Sequence, residues 1–170
     1  MPRAGAAFEA VTFVGAGHAI SRVAWEAAGG YDEALFFCWE EFDFCLRAIE
    51  QGWHVRYRGD IEIRHQVSPE RRLRWAEGRW FHFVRNRLYI ERKRGTSWPA
   101  LAPRIGGYLL KGVRNGMPVE TLRAMAAAIR MSAGVRARPA SAAARAYMAR
   151  HDGAHRGSAM KRLSVRSGRS

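Results

Sequence analysis

Gly29-Gly30-Tyr31-Asp32-Glu33-Ala34-Leu35-Phe36-Phe37-Cys38-Trp39-Glu40-Glu41-Phe42-Asp43-Phe44-Cys45-Leu46-Arg47 is the stretch on which the reading of this chain turns. Two glycines open it, and Gly30 is placed to supply a backbone angle that a side chain resists. Asp32 and Glu33 follow in the turn. An apolar and aromatic run from Leu35 to Trp39 then leads into three carboxylates, Glu40, Glu41 and Asp43. Beyond them the spacing predicts a helix, because Phe42, Cys45, Leu46 and Ile49 recur with helical period and can face a core. Asp43 and Arg47, four apart, can pair on that helix. The helix dipole favours carboxylates in its first turn and keeps them ionised, which suits a base better than an acid. Acidic first turns are also ordinary capping chemistry, so spacing alone leaves a structural role open.

The phrase as a whole resembles the acceptor-side half of family 2 glycosyltransferases, which have the GT-A fold, and is most similar to their rhamnosyltransferase-like members. In that family a Gly-Gly-Phe-Asp-Glu turn, an aromatic run and Glu-Asp-x-Asp open a helix that continues to an Arg. The matching residues are Gly29-Gly30-Tyr31-Asp32-Glu33, Phe36-Phe37, Glu40-Glu41-Phe42-Asp43 and Leu46-Arg47, and the resemblance runs from Val11 to Arg94. It implies an α/β fold: a partial, Rossmann-like GT-A glycosyltransferase domain over residues 1–94, without its N-terminal nucleotide-binding half. Basic amphipathic helices follow over residues 95–135, and a basic, largely disordered tail over 136–170.

The resemblance implies transfer of a sugar from a nucleotide-sugar donor to an acceptor hydroxyl with inversion, in the synthesis of a cell-surface glycan. The second residue of the family's Glu-Asp pair is the base, and that position is Glu41. Glu in place of Asp lengthens the arm by a methylene, and a misplacement of about 1 Å can cost roughly a hundredfold in rate. Gly15, Ala16 and Gly17, with Asp32, Glu40 and Asp43, are the expected substrate-binding residues. A divalent metal, Mg²⁺ or Mn²⁺, is the expected cofactor. His65, 24 residues after Glu41, is its candidate ligand. The family's Asp-x-Asp metal motif does not occur in the chain.

Charge is divided unevenly. Residues 1–70 hold 6 Lys+Arg and 11 Asp+Glu, a net of −5, and residues 71–170 hold 23 and 4, a net of +19. A basic second part behind an acidic first part points to an anionic surface as partner. The expected partners are therefore a nucleotide-sugar donor, a glycan or lipid-linked acceptor, and an anionic membrane surface met through residues 95–135. No specific nucleic acid is expected, since most aromatics lie before the basic block or on its apolar helix faces. The alternative class is a non-catalytic basic protein that binds anionic membrane or nucleic acid. It explains the charge and leaves the acidic, aromatic centre without a purpose. Cys38 and Cys45 have no neighbouring His and form no metal framework; they read as reduced core residues of a cytoplasmic chain, placed at the inner face of the membrane. No run approaches the roughly 18 apolar residues of a spanning helix.

The remaining elements follow from local pattern. Val11–Val14 reads as a strand ending at Gly15-Ala16-Gly17, where either a pocket floor or a tight turn is open. Ser21 caps a short helix that Gly29 stops. Residues 53–57 and 61–64 alternate as strands around a Gly59-Asp60 turn. Ser68-Pro69 opens a helix to Arg94 with Leu73, Trp80, Phe81, Val84, Leu88 and Ile90 on one side. Its Arg85-Asn86 pair matches one common in the family, readable as a phosphate contact or as part of a solvated basic face. Residues 98–114 and 118–130 read as two basic amphipathic helices, and 140–150 as a further helix.

Overall fold

A computed structural model describes residues 5–64, 66 and 78–152. They fall in two units, one from Met1–Gly30, Phe44–Arg64 and Ser141–Ser170, the other from Tyr31–Asp43 and His65–Ala140. Among the described residues the architecture is helix-rich, with one two-stranded sheet.

In the first unit β1 (Ala7–Ala10) pairs antiparallel with β2 (Val55–Arg58), Phe8 opposite Tyr57 and Glu9 opposite Arg56. The Phe8 and Tyr57 rings stack at 4.6 Å, a cross-strand pair of the kind that fixes register. Of the strands the alternation predicts, 53–57 overlaps β2, while the other two lie outside the sheet. Val11 is buried, but residues 11–14 are outside the sheet, and Val14 is exposed. Residues 61–64 are outside it too, with Ile61 and Ile63 largely exposed. Alternation alone does not make a strand, because the backbone also needs a neighbour to hydrogen-bond. Tyr147, on α6 (Ala142–His151), closes the end of the ribbon, its hydroxyl accepting from Val55 N and donating to Ala10 O.

The helix α1 (Arg22–Ala28) starts and stops as the sequence predicts. Ser21 Oγ accepts from Ala24 N, and Gly29, at φ +75°, ends the helix in the left-handed conformation. Gly30 is also left-handed, at φ +66°, and a Cβ there would stand 3.1 Å from the Trp25 ring. Arg47, on α2 (Glu40–Glu50), donates to the carbonyls of Ala28 and Gly30 and so ties down this double-glycine turn. The first four residues of α2 belong to the second unit and the rest to the first.

The second unit is built on α3 (Arg79–Lys93), α4 (Trp98–Arg114) and α5 (Pro118–Ser132). The predicted start at Ser68-Pro69 and the apolar residue Leu73 lie outside the described residues. Within them the helix begins after Gly78, which takes the left-handed conformation at φ +73°. Trp80, Val84 and Leu88 from α3, Leu101 from α4, and Ala124 and Ala128 from α5 form its core. A fully buried Val or Leu contributes about 1.5–3 kcal/mol. Trp80 Nε1 donates to Thr121 Oγ1 at 2.8 Å, so the largest core side chain leaves no polar atom unsatisfied there. Gly112 lets α4 approach α5, because a Cβ at that position would overlap Thr121 Oγ1.

Candidate functional site

The acidic motif sits in the second unit, and α3 holds it. Asp32 caps a short 3₁₀ turn (Glu33–Leu35) by accepting from Ala34 N at 3.1 Å. The chain then passes through three non-glycine residues with positive φ, Phe36 at 56°, Cys38 at 69° and Trp39 at 74°, before α2 begins at Glu40. Each such residue costs roughly 1–2 kcal/mol, so the surrounding structure must hold this loop.

Asn86 supplies the hold. It is fully buried, and its Nδ2 donates to the carbonyls of Leu35, Phe37 and Cys38 at 2.7–2.8 Å. Arg85 donates from its Nη2 to the carbonyls of Ala34 and Leu35 and from its Nε to Asn86 Oδ1, which fixes the amide's orientation. Trp39 Nε1 donates to Phe83 O at 3.0 Å. The Arg87 guanidinium lies 4.9 Å from the Trp39 ring centre and 4.5 Å from that of Phe42, bracketing Glu40 and Glu41 from both sides in sequence. Glu91 accepts from Arg87 Nη2 at 2.8 Å.

The carboxylates of the motif have different surroundings. Lys93 Nζ donates to Asp32 Oδ2 at 2.6 Å and to Asp43 Oδ1 at 3.1 Å. Asp43 is only 3% exposed, and the ammonium provides its counter-charge. Burial opposes the charge on Lys93, but its hydrogen bond to Asp32 and the charges of Asp43 and Asp32 outweigh that and hold its pKa above the usual lysine value. Glu40 is half-buried, with Oε2 enclosed and accepting no hydrogen bond, and burial pushes its carboxyl above the ordinary range. Glu41, half-exposed, shares with Glu40 the first turn of α2, whose dipole favours an anion. Burial likewise raises the thiol of Cys38, although Arg79 donates a hydrogen bond to it; Cys38 and Cys45 are free.

Of the other predicted residues, Gly15, Ala16 and Gly17 form an exposed turn in the first unit, closed by Gly17 N donating to Val14 O at 3.1 Å. The close neighbour of Gly17 is Ile63, whose Cδ1 would lie 2.6 Å from a Cβ there. His65 lies outside the described residues. Among those described, no three His, Cys, Asp or Glu side chains gather as metal ligands, and the Asp32–Asp43 pair already encloses a lysine ammonium. These residues do not fit a divalent ion.

Sequence reading missed Lys93 and the part played by Asn86 and Arg87. A signal was present. Phe83, Asn86, Ile90 and Lys93 share one face of α3, distinct from the Trp80–Val84–Leu88 stripe, so the helix is packed on two sides. An Asn between apolar neighbours on such a face must find buried carbonyls or carboxylates.

A family model described as Glycosyl transferase family group 2 matches residues 4–149. No curated protein and no solved structure matches the chain. The matched span takes in the strained loop, the carboxylates that open α2 and the helix that holds them, and on it the chain belongs to the glycosyltransferase group 2 family, a family of transferase enzymes.

Proposed function

We propose that this chain carries the acceptor-activating half of an inverting sugar transfer from a nucleotide-sugar donor, with Glu41 as the base. The reaction needs a carboxylate that takes the proton of an acceptor hydroxyl as its oxygen attacks the anomeric carbon and the diphosphate leaves from the opposite face. One observation supports this reading above the others: a half-exposed carboxylate opens a helix directly after a strained loop that a buried amide and two arginines hold still. Rigid support of this kind keeps the base in reach of its proton. Glu40, raised by burial, stands beside it. Asp43 and Asp32, joined through Lys93, fix the first turn of α2 and act as positioning residues. Gly15, Ala16 and Gly17 supply small-residue backbone for the substrate; because the described carboxylates do not fit a divalent ion, no role in the transfer is given to an Mg²⁺ or Mn²⁺ for which His65 is the candidate ligand.

The acceptor we assign is a glycan or lipid-linked hydroxyl in the building of a cell-surface polysaccharide. The place of work is the cytoplasmic side, peripheral on the inner face of the membrane. No described helix is long and apolar enough to cross a membrane. The test is transfer of labelled sugar from a panel of uridine, guanosine and thymidine diphosphate sugars by the native protein and by Glu41→Gln. Gln keeps the size and removes the base, so transfer should fall by at least about a hundredfold with little change in donor KM. Transfer by the Gln variant within a few-fold of native would remove Glu41 from the chemistry. Salt-sensitive binding to oligonucleotides and vesicles alike, without transfer of any sugar, would favour the non-catalytic basic protein instead.

A further inference from the structure

The helices α4 and α5 both carry large aliphatic side chains on the side turned away from their core. The fully buried positions of α5 are small, Thr121, Ala124 and Ala128, with Met125 partly buried beside them. Its large aliphatic side chains face out, with Val119 68%, Leu122 58% and Ile129 55% exposed. On α4, Leu101 and Gly112 are buried and Ile105 and Tyr108 pack on the core, while Leu110 and Val113 are each 62% exposed. A surface helix ordinarily buries its large apolar stripe and turns polar residues to water. Here both helices rest on one core, and both turn aliphatic stripes away from it. Arg114, Arg123 and Arg130 are exposed on the same two helices, whose one acidic residue is Glu120.

We infer that α4 and α5 dock on an anionic phospholipid surface, Leu110, Val113, Val119, Leu122 and Ile129 entering the acyl boundary and the arginines meeting lipid phosphates. Three features of the surface select this occupant. Its charge is complementary to an anionic bilayer. A second copy of the chain would set like charges against one another across the contact. A nucleic acid would match the arginines but offer nothing apolar to the aliphatic stripes. Neither helix can span, so the pair lies in the interface plane, as basic amphipathic helices do. The inference rests on the peripheral placement proposed above and not on the transfer reaction, so vesicle binding and sugar transfer can fail separately.

The experiment is flotation of the full chain with vesicles of mixed phosphatidylglycerol and phosphatidylcholine, against vesicles of phosphatidylcholine alone. Binding should require the anionic lipid and weaken at about 0.5 M salt. Leu122→Ser with Ile129→Ser should lower affinity roughly tenfold per residue, and Arg123→Gln with Arg130→Gln about fivefold per residue. All four side chains are exposed, and far-UV circular dichroism checks that the helices persist. Leu110→Ser with Val119→Ser serves as an independent pair should the first alter the fold. Undiminished binding by the Ser variants would overturn the inference, since bare charge elsewhere in the chain would then account for adsorption. So would a dimer in sedimentation equilibrium that the Ser substitutions dissolve.

Discussion

Asn86→Leu is the substitution that tests the architecture of the site most directly. Leu keeps the approximate volume and removes both N–H donors. Leu35 O retains a bond from Arg85, so the carbonyls of Phe37 and Cys38 bear the loss. A buried carbonyl deprived of its partner costs about 1–3 kcal/mol, and these two belong to half-buried residues, which favours the lower end: about 2–3 kcal/mol together. The positive φ angles at Phe36, Cys38 and Trp39 add a reason for the loop to relax once released. Urea denaturation followed by circular dichroism measures the global loss, and hydrogen exchange at the amides of residues 36–41 measures the local one. Both losses should appear, with exchange over residues 36–41 accelerated more than that of the α3–α5 core, whose protection is lowered by the global loss alone. A companion variant, Asn86→Asp, turns a second oxygen toward the three carbonyls. Full burial and the three carbonyls should make its carboxyl harder to ionise in the folded chain than in the unfolded one, against the opposing pull of the Arg85 guanidinium. The stability of that variant should therefore be fullest in acid and decline as pH rises through the folded pKa, a dependence that Asn86→Leu lacks. A destabilisation below about 0.5 kcal/mol, or native exchange rates over residues 36–41, would refute the claim that this amide holds the loop.

Lys93→Met leaves Asp43 buried without its ammonium; a broken buried pair costs about 3–5 kcal/mol, and partial exposure of Lys93 and Asp32 reduces that to about 2–4 in urea denaturation. In the native chain the raised pKa of Lys93 means this contribution is complete below the free lysine value, about 10.4, and disappears as pH rises through the folded value, which alkaline denaturation reads. Gly112→Ala drives a methyl into Thr121 Oγ1, between Trp80 Nε1 and Met117 O, and should lower stability by about 1–3 kcal/mol; Thr121→Ser, which keeps the hydroxyl, should not relieve it. Burial, reinforced by Arg85, holds the pKa of His82 below that of a free imidazole. Its contribution is therefore present above about pH 6.5 and lost as pH falls toward the folded value, and His82→Phe, packed by Phe36, Phe37 and Phe81, should flatten the acid side of a melting-temperature profile.

The local signals in the sequence were reliable where one interaction decides the outcome. Ser21 and Gly29 bound a short helix because a cap and a left-handed stop need only their immediate neighbours. The same holds for the start of α2 at Glu40, the break at Asn115–Met117, and α6. The sheet was harder. The pattern at 53–57 marks most of β2, yet residues 11–14 and 61–64 carry strand-like patterns outside the sheet and the partner of β2 is Ala7–Ala10, because pairing is a property of two segments at once.

For the site, composition and order alone placed the carboxylates on a helix's first turn and pointed to sugar-transfer chemistry through family resemblance. The resemblance singled out Glu41 as the expected base, but spacing alone left the surroundings of Glu40, Glu41 and Asp43 undistinguished. Tertiary structure separated them: Lys93, 50 residues from Asp43 in sequence, takes Asp43 and Asp32 as counter-charges, while Glu41 stays half-exposed. It also turned Arg85 and Asn86 from candidate phosphate contacts into supports for a strained loop, and turned the aliphatic stripes of α4 and α5 outward. A residue's type sets which bonds it can make. Which partner lies within about 3 Å depends on chain brought back from a distance, and no local pattern carries that information.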